Sequence, residues 1–258
     1  MILALAVSQD ITVMETPKRF LRDEAAIWTS PVRKSAYSSR AVKKYLIPFA
    51  AITGTLIATD KFTSRGLPNS SDQLIWSGRA SQMGAWYSTA GLSGAALLYG
   101  QFSGNTHMRE TGILALEALG HAQVVTFAVK QITNRRRPAD GDDNIGFWKG
   151  GNAFPSGHAA SAFAVATVFA YEYRQHVAVP IAAYSLASLV SISRVGARRH
   201  WMSDIFAGGS MGFMMGRMVY RRHHNPNLPG VKVTSNWKTL AKPDIGFAPG
   251  GASLNWRF

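Results

Sequence analysis

Apolar residues in this chain gather into long runs and do not alternate with polar ones. Six runs stand out, at about 45–59, 85–102, 111–133, 157–173, 177–195 and 203–220. None shows the period-two alternation of a half-buried strand, so the pattern predicts an all-α core, a six-helix bundle. Gly, Pro, Asn, Asp and Arg punctuate the connections. The runs are rich in Ala, Gly and Ser, which let helices approach closely inside a bilayer. A membrane span needs about 20 predominantly apolar residues, and the best of the six is 177–195 (VAVPIAAYSLASLVSISRV). The third run carries Glu117, His121, Gln123 and Lys130, and the sixth carries Asp204 and Arg217. Length alone therefore leaves a soluble bundle and a membrane bundle both open.

The two ends of the chain read differently from the middle. Residues 1–44 form a basic segment with Lys18, Arg19, Arg22, Arg33, Lys34, Arg40, Lys43 and Lys44. Within it, Phe20, Leu21, Ala25, Ile27 and Trp28 predict one apolar face of a short helix. That helix either lies on a membrane interface or caps the bundle. Met1–Val7 is apolar, and Ala4-Leu5-Ala6 has the small-x-small form of a leader cleavage site. A leader also needs a basic start and a longer apolar core, so the end of a leader and a plain apolar terminus are equal readings. The helical domain is expected over 45–222, and 223–258 reads as an extended tail with Pro226, Pro229, Pro243 and Pro249. In that tail, Ile245-Gly246-Phe247, the turn residues Pro249-Gly250-Gly251 and the alternation of Leu254, Trp256 and Phe258 with polar residues suggest a β-hairpin. One hairpin cannot close a barrel, so the tail is expected to lie against the bundle.

Composition sharpens this picture. The chain has 258 residues, 47% hydrophobic and 16% charged, against about 25% charged in ordinary soluble domains. The net charge of +14 favours phosphates, anionic lipid or nucleic acid as partners. No recognised nucleic-acid module is present, and the basic residues sit between apolar runs, which argues against nucleic acid. With no cysteine, disulfides and thiolate metal sites are excluded. If all six runs cross a membrane, the connections 134–156 and 196–202 emerge on one face. The opposite face then receives Lys43, Lys44, Arg109, Arg174, Arg221 and Arg222, and the positive-inside rule makes it cytoplasmic. A cleaved leader would start the mature chain outside, so it conflicts with six spans.

Three short stretches carry the chemistry: KQITNRRRP at 130–138, FPSGH at 154–158 and SRVGARRHWMSD at 193–204. Lys130 and Arg137 are seven apart, two helical turns, which predicts a shared face with the helix ending at Pro138. Arg offers a planar fork to phosphate oxygens and Lys a point charge. With Arg135 and Arg136 alongside, a basic cluster facing anionic lipid is an equal reading of this stretch on its own. Ser156 is a helix N-cap, and the amides of a helix start make an anion site. Gly157 permits close approach of a ligand, and His158 is placed to protonate a leaving oxygen. Arg194 adds a third cation. His200 and Asp204 lie one turn apart, so the carboxylate is expected to accept one imidazole proton and leave the other nitrogen as nucleophile. Asp140, Asp142 and Asp143 read as a solvated loop rather than a cation site. Trp148 and Lys149 read as shaping the substrate entrance, Glu117 and His121 as an interhelical polar contact, and Trp201 as packing or a pocket wall.

Together the three stretches resemble the signature of the type 2 phosphatidic acid phosphatase superfamily: Lys, six residues, Arg-Pro; then Pro-Ser-Gly-His; then Ser-Arg, five residues, His, three residues, Asp. Every defined position is present. The resemblance implies a bundle of the phosphatase and haloperoxidase kind, membrane-embedded, with the site on the periplasmic side of an inner membrane. It implies hydrolysis of a phosphomonoester or pyrophosphate, a lipid phosphate foremost, with His200 as the nucleophile that forms a phosphohistidine. Asp204 is implied as its orienting partner and His158 as general acid and then base. Lys130, Arg137, Ser156, Gly157 and Arg194 are implied as the phosphate cradle, with neither metal nor cofactor. Three other functions remain: a soluble periplasmic acid phosphatase, a vanadium-dependent haloperoxidase, which is usually longer, and a non-catalytic membrane protein on the same scaffold.

Overall fold

The structure, a computed structural model, describes residues 15–30, 42–141 and 146–228, and the backbone of 244–248 and 251–255. The expected leader, Asp142, Asp143, Trp256 and Phe258 lie outside the described residues. Helix α1 spans Thr16–Thr29. A π-helical turn, Val42–Leu46, leads into α2, Ile47–Arg65. Then come α3 (Ser71–Ser81), α4 (Trp86–Ser103), α5 (Thr106–Thr133), α6 (Gly157–Glu172), α7 (Ala178–Gly196) and α8 (Met202–His223). Each of the six apolar runs becomes a helix, and the core is all-α. Strands among the described residues are confined to a hairpin, β1 (Asp244–Ala248) antiparallel to β2 (Gly251–Asn255).

Helix α3 is an addition to the expected six. Its sequence, SDQLIWSGRAS, is too polar to register as an apolar run, but Ser70 caps it by accepting from Gln73 N at 3.2 Å. At about 1.5 Å per residue, its 11 residues fall well short of a bilayer. The long helices α2 and α4–α8 alternate in direction. The ends of α5 and α7 and the starts of α6 and α8 therefore meet at one end of the bundle.

Small residues set the spacing there. Gly208, Gly212 and Gly216 recur every fourth residue on α8. A Cβ on them would fall 2.3 Å from Ser156 O, 2.2 Å from Ala160 O and 2.5 Å from Ala164 O. The backbone of α8 thus lies directly on α6, the close approach that small-xxx-small spacing permits. The buried core between α5, α6 and α8 is built from Leu114, Ala118, Ala122, Ala160, Ala164 and Val219. Many large apolar side chains face outward instead: Phe62 is 83% and Phe102 85% exposed, and Ile181, Leu186, Leu189 and Ile192 all point away from the bundle on α7.

Helix α1 docks by its polar side. Arg19 pairs with Glu117 at 2.7 Å, Glu24 with His121 at 2.6 Å, and Asp23 with Arg222 at 2.8 Å and His223 at 2.7 Å. Phe20 stacks on the His121 ring at 4.2 Å, while Leu21 and Trp28 stay exposed. The ion pairs on α5 and α8 outcompete the apolar stripe because buried Glu117 and His121 need partners. Glu117 and His121 do make the expected interhelical contacts. At the far end of the bundle, Glu172 joins His107 (2.9 Å) and His224 (3.0 Å), tying α6 to the start of α5 and the end of α8.

Candidate active site

The first cation pair forms differently from its spacing. Helix α5 stops at Thr133, and Asn134 takes a left-handed conformation with φ 42°. The amides of Trp148, Lys149 and Gly151 then bond to the carbonyls of Thr133 and Asn134 at 2.7–3.0 Å. The chain leaves the helix before Arg137, so the two cations share no helical face. Arg137 instead precedes a 3-10 turn, Pro138–Asp140, and its amide donates to Asp140 Oδ2 at 2.9 Å. Asp140 is thereby a capping residue. Lys130 Nζ donates to the Asn152 carbonyl and still lies within electrostatic reach of Arg137, Arg194 and Asp204.

Ser156 caps α6, its hydroxyl accepting from Ala159 N at 3.4 Å, and its own amide donates to Asp204 O at 2.9 Å. The start of α6, with Gly157 and His158, is thus locked onto α8. Arg194 ends α7 and donates to Ser81 Oγ at 2.9 Å. Arg137, His158 and Arg194 line one cavity of about 940 Å³, together with Trp86, Arg198 and Arg199. The buried Nε atoms of Arg137 and Arg194 have no hydrogen-bond partner. Arg198 and Arg199 were not singled out from the sequence, although their place between Arg194 and His200 was the available signal.

His200 is 2% exposed. Its Nδ1 donates to the carbonyl of Ala153 at 2.8 Å, whereas Asp204 Oδ2 stands 3.6 Å away. The expected Asp204–imidazole hydrogen bond is therefore replaced by a backbone acceptor. The reason is that Asp204 is already committed: Oδ2 accepts from Trp201 N at 2.8 Å, capping α8, and Oδ1 accepts from Arg135 at 2.7 Å. The result for the ring is the same tautomer, with the proton on Nδ1 and the lone pair on Nε2. Burial pushes the His200 pKa down to about 4; Asp204 opposes this, and Lys130 and Arg194 add to it. The ring is neutral at pH 7.

Arg135 corrects the reading of a lipid-facing basic cluster. It is 1% exposed and donates to Asp204 Oδ1 (2.7 Å), Ser203 Oγ (2.6 Å) and Asp60 Oδ2 (2.8 Å). Its guanidinium also lies over the rings of Phe147 at 4.9 Å and Trp201 at 5.5 Å. Asp60 of α2, also 1% exposed, accepts from the Ser203 amide at 3.1 Å and from the Ser203 hydroxyl. Asp60 and Arg135 were missed in the sequence. An aspartate inside an apolar run was the signal for the first, since such residues are expensive without a partner. Trp201 is buried, and its Nε1 donates to Arg136 O at 2.8 Å. Trp148 is 76% exposed, beside the loop.

The helices bring Lys130, Arg137, Arg194, His158 and the buried His200 to one end of the bundle, where a cavity opens. Residues 111–228 match the model of the PAP2 superfamily. Over 70 residues, 27% of the chain, it is 43% identical to a lipid A 1-phosphatase of Porphyromonas gingivalis, and the match spans 16% of that protein's length. Among solved structures, LpxE of Aquifex aeolicus is 20% identical with a TM-score of 0.47, covering 68% of this chain and 94% of LpxE. A transmembrane PAP2-type phosphatidylglycerolphosphate phosphatase of Bacillus subtilis is 19% identical with a TM-score of 0.47, covering 81% of this chain and 94% of that one.

Proposed function

We propose that this protein is a membrane-embedded phosphatase that removes phosphate from a lipid phosphomonoester or pyrophosphate through a phosphohistidine on His200, without a metal. The observation that carries the reading is the cavity wall. Arg137, His158 and Arg194 face one space, and the buried imidazole of His200 lies within electrostatic reach of His158 and Arg194.

The chemistry follows from those positions. Lys130, Arg137 and Arg194 hold the phosphoryl oxygens, with the capped start of α6 at Ser156 and Gly157 beside them. Fixed cations of this kind stabilise charge developing on the equatorial oxygens. The Nε2 lone pair of His200 attacks phosphorus as the bond to the leaving oxygen breaks. His158, which takes up a proton when the phosphate anion offsets the surrounding cations, delivers it to that oxygen, releasing the alcohol or the shorter phosphate. A water then attacks phosphorus, its proton passes to His158, and the phosphorus–nitrogen bond breaks to free inorganic phosphate and neutral His200.

Lipid as substrate is supported by the distribution of apolar residues. Large side chains such as Phe102, Leu189 and Ile192 are exposed while the core is largely Ala and Gly. That is the arrangement for lipid outside and close helix packing inside. Two helical segments, Thr106–Asp140 and Ala178–Gly196, are long and apolar enough to cross a bilayer. The lipid A 1-phosphatase relative supports the same class. Lys43, Lys44, Arg109, Arg221 and Arg222 gather at the end away from the cavity, which favours a site opening to the periplasm. The test is phosphate release by detergent-purified protein, with and without EDTA, from lipid phosphates, lipid pyrophosphates and soluble phosphoesters. Turnover of a lipid phosphate unaffected by EDTA is expected. Release from soluble esters alone, or none at all, contradicts the reading.

A further inference from the structure

Asp60, on a helix outside the three motifs, touches neither the cavity nor His200, yet it sits in the same buried cluster as Asp204. Two carboxylates, Asp60 and Asp204, share one guanidinium, Arg135, at 2.8 and 2.7 Å. All three side chains are withdrawn from solvent. A pairing that served only to stitch helices together needs one carboxylate per guanidinium, because surplus buried charge is costly. Here the surplus is one negative charge, and it is placed on the inner side of His200, through Asp204 Oδ2 at 3.6 Å.

We infer that Asp60 is a positioning residue for the phosphatase reaction, keeping the Asp60–Arg135–Asp204 cluster net negative so that it stabilises the cation formed on His200. The inference rests on the function proposed above. When Nε2 bonds to phosphorus, the ring becomes an imidazolium while Nδ1 stays bonded to the Ala153 carbonyl. That cation faces Lys130 and Arg194 from α5 and α7, with His158 on α6 and Arg137 on the loop also nearby. Every cationic group on the cavity side disfavours it. Arg135 alone would cancel the help from Asp204. Asp60 cancels Arg135 in turn, so the Asp204 charge remains effective. Asp60 also accepts from the amide and the hydroxyl of Ser203, which fixes the first turn of α8 one residue from Asp204.

The substitutions separate charge from stitching. D60N is close to isosteric; it removes the surplus charge and leaves one acceptor oxygen where Asp60 has two, so S203A serves as the control for the lost hydrogen bonding. It is expected to lower kcat by about 10- to 100-fold with KM little changed, the effect of one charge a few ångströms further out. It should also move the acidic limb of the kcat/KM profile to lower pH. R135Q should move that limb to higher pH, and D60N/R135Q, with Asp204 alone, should bring it back toward wild type and recover at least about tenfold in kcat over D60N. S203A removes hydrogen bonds without changing charge and should leave the limb in place. A folded D60N with the kcat and limb of wild type overturns the inference, as does a folded double variant no better than D60N. If D60N does not fold, the double variant decides: a wild-type limb supports the inference and a displaced one overturns it. Wild-type protein inactive on every lipid phosphate removes the phosphatase reading itself, a result distinct from an active wild type indifferent to D60N.

Discussion

Burying an imidazole near Lys130 and Arg194 suits His200 to the nucleophilic role proposed for it and gives it a measurable liability. Its pKa falls from 6.5 to about 4 on folding, so between those values the unfolded chain binds the extra proton and the native one does not. Stability therefore rises with pH across that window and is lost as pH falls through it, by about 3 kcal/mol in all. Thermal unfolding in detergent between pH 7 and 4 should show this slope, and H200Q should reduce it; an unchanged slope in H200Q would assign it to other groups. Asp204 carries a second prediction. Loss of a triad aspartate that fixes the tautomer costs about 10⁴ in kcat. Here Ala153 O fixes the tautomer, so D204N should lower kcat by only about 10²-fold. It should also lower thermal stability, because the buried pair with Arg135 is broken. A 10⁴-fold fall without loss of stability would restore the orienting role to Asp204.

Helix α8 and its neighbour α6 hold the site together as elements. The α8 glycines put its backbone against Ser156, Ala160 and Ala164, so the capped phosphate-binding turn depends on residues far from the chemistry. G208A would press a methyl carbon to 2.3 Å from Ser156 O. It should destabilise by about 1–3 kcal/mol and cut turnover, whereas G94A, with open space around it, should do neither; equal activity and melting temperature in the two would contradict this packing. The apolar runs were enough to read α2 and α4–α8 from the sequence, because long stretches without alternation have one outcome. Helix α3 was not legible, since its stabilisation comes from a Ser70 cap and from packing on α7. The role of Arg135 was not legible for a related reason. Its neighbours in sequence are exposed-type arginines, and only the fold brings Asp60 and Asp204 to it. The polar docking of α1 was hidden in the same way, in partners on α5 and α8. By contrast, Ser156 at a helix start and the gathering of Lys130, Arg137, His158 and Arg194 at one end of the bundle were legible from helix order, while the seven-residue spacing of Lys130 and Arg137 misled because the helix ends at Thr133.

At the scale of the whole molecule, the reading is of a bundle turned inside out for lipid, with a single anion-holding end. Membrane fractions should retain the protein through high-salt and alkaline washes and release it only to detergent; release by salt alone would leave the exposed Phe62, Phe102 and Ile192 unexplained. In the proposed mechanism, charge at the two ends and the surplus carboxylate of Asp60 act on one event, the transient transfer of a phosphoryl group to His200. Rapid acid-free denaturation of the enzyme during turnover of a ³²P-labelled lipid phosphate, followed by peptide mapping, reads that event directly. The account predicts an acid-labile, base-stable label on His200 in wild type and none in H200A. Label on another residue, or label and turnover persisting in H200A, would contradict it.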